Sequence, residues 1–190
     1  MLKNTSIILG LILMQSCLGR EKYFRFSDEE RSLLVYEEGE IFKLRSQDGD
    51  TFRFYVQDKS IGFEQVRIHF SSRKHFGETA SIEFISTDDI GRIVAQGGID
   101  LQKRTDHEFL FALHLKVYED YPTIMSDDFS VGDPYEFHSN LTVDGSSYTN
   151  VYYFKNPISA NSYRELFIAS SEGILHVGNT DTGHFYKRVE

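Results

Sequence analysis

The chain has no tryptophan, one cysteine and three prolines in 190 residues, and its 20 Lys and Arg are outnumbered by 29 Asp and Glu. Each shortage closes off a class of protein. A lone cysteine makes no disulfide within the chain and no thiolate cluster, so the domain must stand on its hydrophobic core. A formal net charge of −9 argues against nucleic acid, whose affinity rests on basic patches, and against anionic lipid as a direct partner. Apolar runs are short: Ile7–Met14 falls well below the ~20 residues of a membrane-spanning helix. Local catalytic signatures are also missing. There is no Gly-rich phosphate loop, no G-x-S-x-G, no H-E-x-x-H and no regular calcium loop, and no cofactor is implied.

What is there begins with that apolar run. Met1-Leu2-Lys3-Asn4 places one positive side chain ahead of it, and polar Gln15-Ser16 closes it immediately before Cys17. On these residues, 1–17 resemble a bacterial lipoprotein signal peptide with its lipobox. That family has Leu three residues before the cysteine and small residues between; this chain has Met14, Gln15 and Ser16. The resemblance implies that 1–16 are a signal peptide, that Cys17 is lipidated and N-terminal, and that 17–23 form a lipidated tether. It leaves 24–190 as a single β-rich domain. The other readings are an ordinary secretory signal that contains a cysteine, or a buried thiol in a longer strand. Under the resemblance the anchor is permanent, because each buried methylene adds about 0.8 kcal/mol and two or three acyl chains hold stably where one does not. The implied location is the bacterial cell envelope, and Leu18 after the cysteine favours the outer membrane by the enteric sorting rule. Loss of Lys3 with the leader would take the charge to −10.

Ser27-Asp28-Glu29-Glu30 has the spacing of a capping box and predicts a short helix to about Leu34. From Glu40 the period becomes two. Gln47-Asp48-Gly49-Asp50 predicts a hairpin turn, with Phe52, Phe54 and Val56 on one face and Arg53 and Tyr55 on the other. Breaks are expected at Lys59-Ser60, Arg73–Gly77 and Thr87-Asp88-Asp89. Gly91, Gly97 and Gly98 suggest a loop or a bulged strand. Phe109, Phe111, Leu113, Leu115 and Val117 form the longest apolar alternation, which predicts a central strand. Ser126-Asp127-Asp128 reads as part of a surface loop.

A second hairpin turns at Asp144-Gly145, and two strands, Glu165–Ala169 and Gly173–Val177, precede a closing Phe185-Tyr186. Residues 141–188, with Gly145-x-x-Tyr148-x-Asn150-Val151 and Gly173-Ile174, resemble the endings of many small bacterial lipoproteins. The expected fold is mainly β, an antiparallel sandwich or a strongly curved half-barrel with one short N-terminal helix.

Few residues bid for chemistry. The seven histidines, His69, His75, His107, His114, His138, His176 and His184, lack ligand spacing on any one strand. Asp88, Asp89, Asp127 and Asp128 read first as solvated turn residues and second as calcium ligands. Tyr55, Tyr118, Tyr152 and Tyr163 fall on wet faces or in loops by the alternation, where they could stack on sugars or line a partner surface; cross-strand packing is their other use. The expected function is a lipid-anchored binding or assembly module with envelope proteins as partners, the membrane reached through the anchor, and no nucleic acid. Its rivals are a hydrolase of envelope polymers and a carrier that encloses an apolar ligand.

Overall fold

The computed structural model describes residues 21–68, 71, 73–118, 127–131, 135–155, 165–179 and 183–190, with only the backbone of 127–131 and of Asn179. The elements in chain order are β1 (Lys22–Phe24), α1 (Asp28–Arg31), β2 (Ile41–Ser46), β3 (Thr51–Val66), β4 (His75–Thr87), β5 (Ile93–Lys103), β6 (Phe109–Val117), β7 (Asp127–Val131), β8 (Glu136–Val143), β9 (Ser146–Lys155), β10 (Glu165–Ala169), β11 (Gly173–Asn179) and β12 (His184–Val189). All strands join one sheet in the order β7-β6-β5-β4-β3-β2-β12-β11-β10-β9-β8, with β1 beside β4. Every neighbouring pair is antiparallel except β1 with β4.

This order forces the sheet to roll up. β7 and β8 are its two edges, yet only five residue steps separate Val131 from Glu136, a reach of at most about 18 Å. Laid flat, eleven strands would hold those edges about 48 Å apart. The sheet is therefore a strongly curled, open half-barrel. Rings meet across its interior: Phe111 of β6 stacks on Phe154 of β9 at 4.6 Å. The alternation that the sequence carries decides which face turns inward. Phe42 and Leu44, Phe52, Phe54 and Val56, Ile82 and Phe84, Ile99 and Leu101, and the whole Phe111–Val117 stripe are buried together. β6 lies one strand from the edge rather than at the centre, although its inward face is as apolar as a central strand's.

The interior is filled by the protein's own N-terminal segment. Ser27 caps α1, the Glu30 N–H donating to Ser27 Oγ and the Ser27 N–H donating to Glu30 Oε2. The regular helix stops at Arg31, short of Leu34, and a tighter turn carries the chain on, the Leu33 and Leu34 N–H groups donating to the carbonyls of Glu30 and Arg31. Leu33, Leu34 and Tyr36 are all buried. Two inward-facing charges hold α1 in place. Lys103 Nζ donates to Glu30 Oε1 at 2.7 Å, and Glu78 accepts from the Arg31 guanidinium and from the Phe26 N–H at 2.8 Å. Farther along, Tyr36 stacks on Phe42 at 4.4 Å and its hydroxyl accepts the Ile174 N–H at 2.7 Å. Gly173 admits it: a Cβ there would lie 2.3 Å from the Tyr36 ring.

Several local expectations are corrected. β3 runs unbroken through Lys59-Ser60, with a bulge between Val56 and Asp58 in its place. Of the two readings of the glycine-bearing stretch, the bulged strand is the one observed: it is β5, with a register shift opposite Ser86 and Thr87, and Phe84 and His114 occupy the space that side chains on Gly97 and Gly98 would need. Asp127 and Asp128 belong to β7, paired with β6, and not to a loop. Lys22 and Tyr23, expected in the tether, pair with His75 and Phe76.

The two Asp-Gly hairpins differ. In the four-residue loop after Ser46 only Gly49 has positive φ, whereas Asp144 (φ 49°) and Gly145 (φ 86°) both do, as a two-residue turn requires. Beyond that turn, Asn150 (φ 52°) breaks the alternation of β9. Val151 and Tyr152 are consequently both buried, Tyr152 in the main core and Val151 in a small outer one with Val143, Ala169 and Leu175. The β8–β9 tip is held over β11 by Asp144 and His176 at 2.8 Å.

Candidate binding surface

Because β2, β3, β4, β5 and β6 are in continuous register, one row of outward side chains crosses all five: Ile41, Tyr55, Ile85, Gln96 and Lys116. Ile41 and Tyr55 are 43% and 46% exposed. Their neighbours are short or charged, so the row stands open as an apolar streak on a rigid sheet. It runs into a cleft of about 690 Å³ at the end of the sheet that carries the β2–β3 and β4–β5 turns, lined among others by Arg53, Asp50, Asp88 and Asp89.

The electrostatics of that rim are set by Asp88. Its carboxylate accepts the N–H groups of Ile90 and Arg92 at 3.1 and 2.8 Å and pairs with the Arg92 guanidinium at 2.7 Å. The Arg92 hydrogen bond, foremost, holds its carboxyl below the ordinary range. Asp88 thus fixes the turn that carries exposed Asp89, with both oxygens already engaged. Among the described residues no group of three or more His, Cys, Asp or Glu is placed to hold a metal ion.

The other candidates fall in different places. Tyr118 is half-buried on the same outward face as Tyr55, with the Lys116 ammonium 4.9 Å from its ring centroid. Tyr152 is not on a wet face: it is 3% exposed, its hydroxyl lies 3.0 Å from Ser32 Oγ, and its ring packs against Tyr135 and Phe137. The turn at Asn150 reverses the side that a plain alternation predicts. Cys17 and Tyr163 lie outside the described residues, as do the side chains of Asp127 and Asp128 and all of His69. Of the histidines, His75 bonds Ser71 at 2.6 Å, His114 faces Asp100, His138 faces Glu136 and His184 bonds Gln47.

The structure therefore brings Tyr55, Asp88 and Asp89 to one cleft and removes Tyr152 from any surface. Sequence reading missed Ile41 and Ile85, which flank Tyr55. The signal lay in parity: Ile85 alternates against Phe84, so it had to face outward. Compared with protein-family models, curated proteins and solved structures, the chain gives no match.

Proposed function

We propose that the protein is a lipid-anchored component of the bacterial envelope that acts as a binding or assembly module, and that the Ile41–Tyr55–Ile85 row with its acidic rim is the surface a partner protein contacts. The observation that carries this reading is the pairing of an exposed aromatic–aliphatic streak with fixed charges on a sheet whose register is locked. Tyrosine flanked by aliphatic side chains is the composition of an interface anchor. The concave face, where an apolar cargo would sit, is taken up by Leu33, Leu34, Tyr36 and the Phe side chains around them, so the outer face is the better candidate for recognition.

The test is a photo-crosslinking residue at position 55, with one at exposed Glu83 for comparison, in cells that make the full chain. One envelope protein should be captured at 55 and not at 83. With that partner purified, Tyr55→Ala should weaken binding by about 2 kcal/mol, roughly 30-fold. Equal capture at both positions, or an unchanged Kd for Tyr55→Ala, would sink the assignment. The anchor is checked separately by palmitate incorporation, expected in the native chain and absent from Cys17→Ala.

A further inference from the structure

We propose that the end of the domain nearest the tether lies against an anionic phospholipid surface, with Tyr23, Ile61 and Phe63 at the headgroup boundary; this rests on the lipid-anchored reading above. β2 pairs with β3 only as far as Tyr55, while the β3–β4 pairing continues to Val66 and His75. On that extension Ile61 and Phe63 are 52% and 40% exposed, and β1 adds Tyr23 at 48%. The three share one face. Tyr23 stacks on Phe76 at 5.1 Å and meets Phe63 edge-on at 5.4 Å, while its hydroxyl reaches Glu21. An exposed cluster of rings, one with a polar tip, is suited to the boundary between lipid tails and water.

Two observations select lipid as the occupant. The first is the length of the connection: four residue steps from Cys17 to Glu21 reach at most about 14 Å, so acyl chains on Cys17 would hold this end of the domain close to the bilayer. The second is charge. The β3–β4 turn carries exposed Arg67, Arg73 and Lys74 with no acid between Val66 and His75, and Arg25 lies beside Phe63. The nearby α1 adds exposed Asp28 and Glu29, and Lys22 is paired with Asp106, so the excess of cations is confined to that turn. The turns at the other end carry Asp48, Asp50, Asp88 and Asp89 against Arg92. The whole-chain charge conceals this polarity. Cations and rings also interleave, with the Arg25 guanidinium 5.4 Å from the Phe63 centroid and the Lys22 ammonium 4.6 Å from that of Phe24. Such a mixture is attracted to anionic headgroups and inserts shallowly.

The absence of tryptophan makes the test direct. Phe63→Trp and Tyr55→Trp each give the full-length chain one indole, at the proposed contact and on the cleft remote from it. Each is reconstituted on phosphatidylcholine vesicles with and without phosphatidylglycerol, containing a spin-labelled quenching lipid, and palmitate incorporation is measured on the same preparation. The indole at 63 should be blue-shifted and quenched and that at 55 should not. Adding Arg73→Glu and Lys74→Glu should relieve the quenching on the anionic vesicles. Emission at 63 that matches 55, or that ignores the charge reversal, overturns the proposal. Palmitate without quenching at 63 removes the docking and leaves the anchor standing; quenching at 63 without palmitate does the reverse.

Discussion

Tyr36 shows how much a single side chain can tie together. It is fully buried, stacks on Phe42 and takes the Ile174 N–H, joining the N-terminal segment to the β10–β11 turn. Tyr36→Phe keeps the ring and strands that N–H, which should cost about 1–3 kcal/mol in urea unfolding at pH 7. Burial also pushes the Tyr36 phenol far above its ordinary value, and pushes that of Tyr135 up to about 12. Both stay neutral in the fold while the unfolded chain ionises from about pH 10. The stability they confer is therefore complete below that pH and is lost as pH rises through it toward the folded values. Between pH 8 and 11, Tyr36→Phe should lose less stability than the native chain, giving a shallower alkaline limb by circular dichroism. At this scale the sequence was partly legible. Ser27 and Glu30 announced a capping box because both partners are local. Glu78 and Lys103 did not announce themselves as buried, although Glu78 shares parity with Ile82 and Phe84, and Lys103 with Ile99 and Leu101. An inward charge is legible only when its partner is known, and those partners, Arg31 and Glu30, lie 47 and 73 residues away.

Among the elements, the β8–β9 hairpin departs furthest from regular alternation. Asn150 adopts a left-handed conformation, and the strand changes which side it buries at that point. Asn150→Ala should cost about 1 kcal/mol, since alanine resists positive φ where asparagine tolerates it, and Asn150→Gly should stay within about 0.5 kcal/mol of the native chain. Urea midpoints for the two variants decide it; equal losses would mean that the Asn side chain matters and its backbone does not. The residues that stand out in this half of the sequence each have a local role. Gly145 completes a two-residue turn, Asn150 supplies the reversal, Val151 enters the small outer core, and Gly173 leaves room for Tyr36. Strands and turns were legible where the pattern is regular, as in β2, the first half of β3 and β6. β7 was not, because Asp127-Asp128 reads as a turn and only its pairing with β6 makes it a strand. The cleft was named in pieces: Tyr55 and Asp88 were both singled out, but their meeting depends on the register that sets Tyr55 against Ile85.

The molecule as a whole is two meanders, β2 to β7 and β8 to β12, joined in the sheet where β12 pairs with β2. Curling follows from that order together with the short Val131–Glu136 connection, and neither composition nor periodicity reveals it, since alternation is the same in a sandwich. Deletion of 184–190 removes the strand between β2 and β11 and should abolish the cooperative urea transition and the near-ultraviolet aromatic signal. Deletion of Glu190 alone, which gives up one contact with Lys43, should preserve both. Cooperative unfolding in the larger deletion would show that either meander stands without the other. The Tyr186–Ser46 pairing has a further consequence for the order of folding. Partners so far apart in sequence must close a very long loop before their contact repays the lost chain entropy. The seam between the meanders should therefore zip up last, after each has gathered its own neighbouring strands.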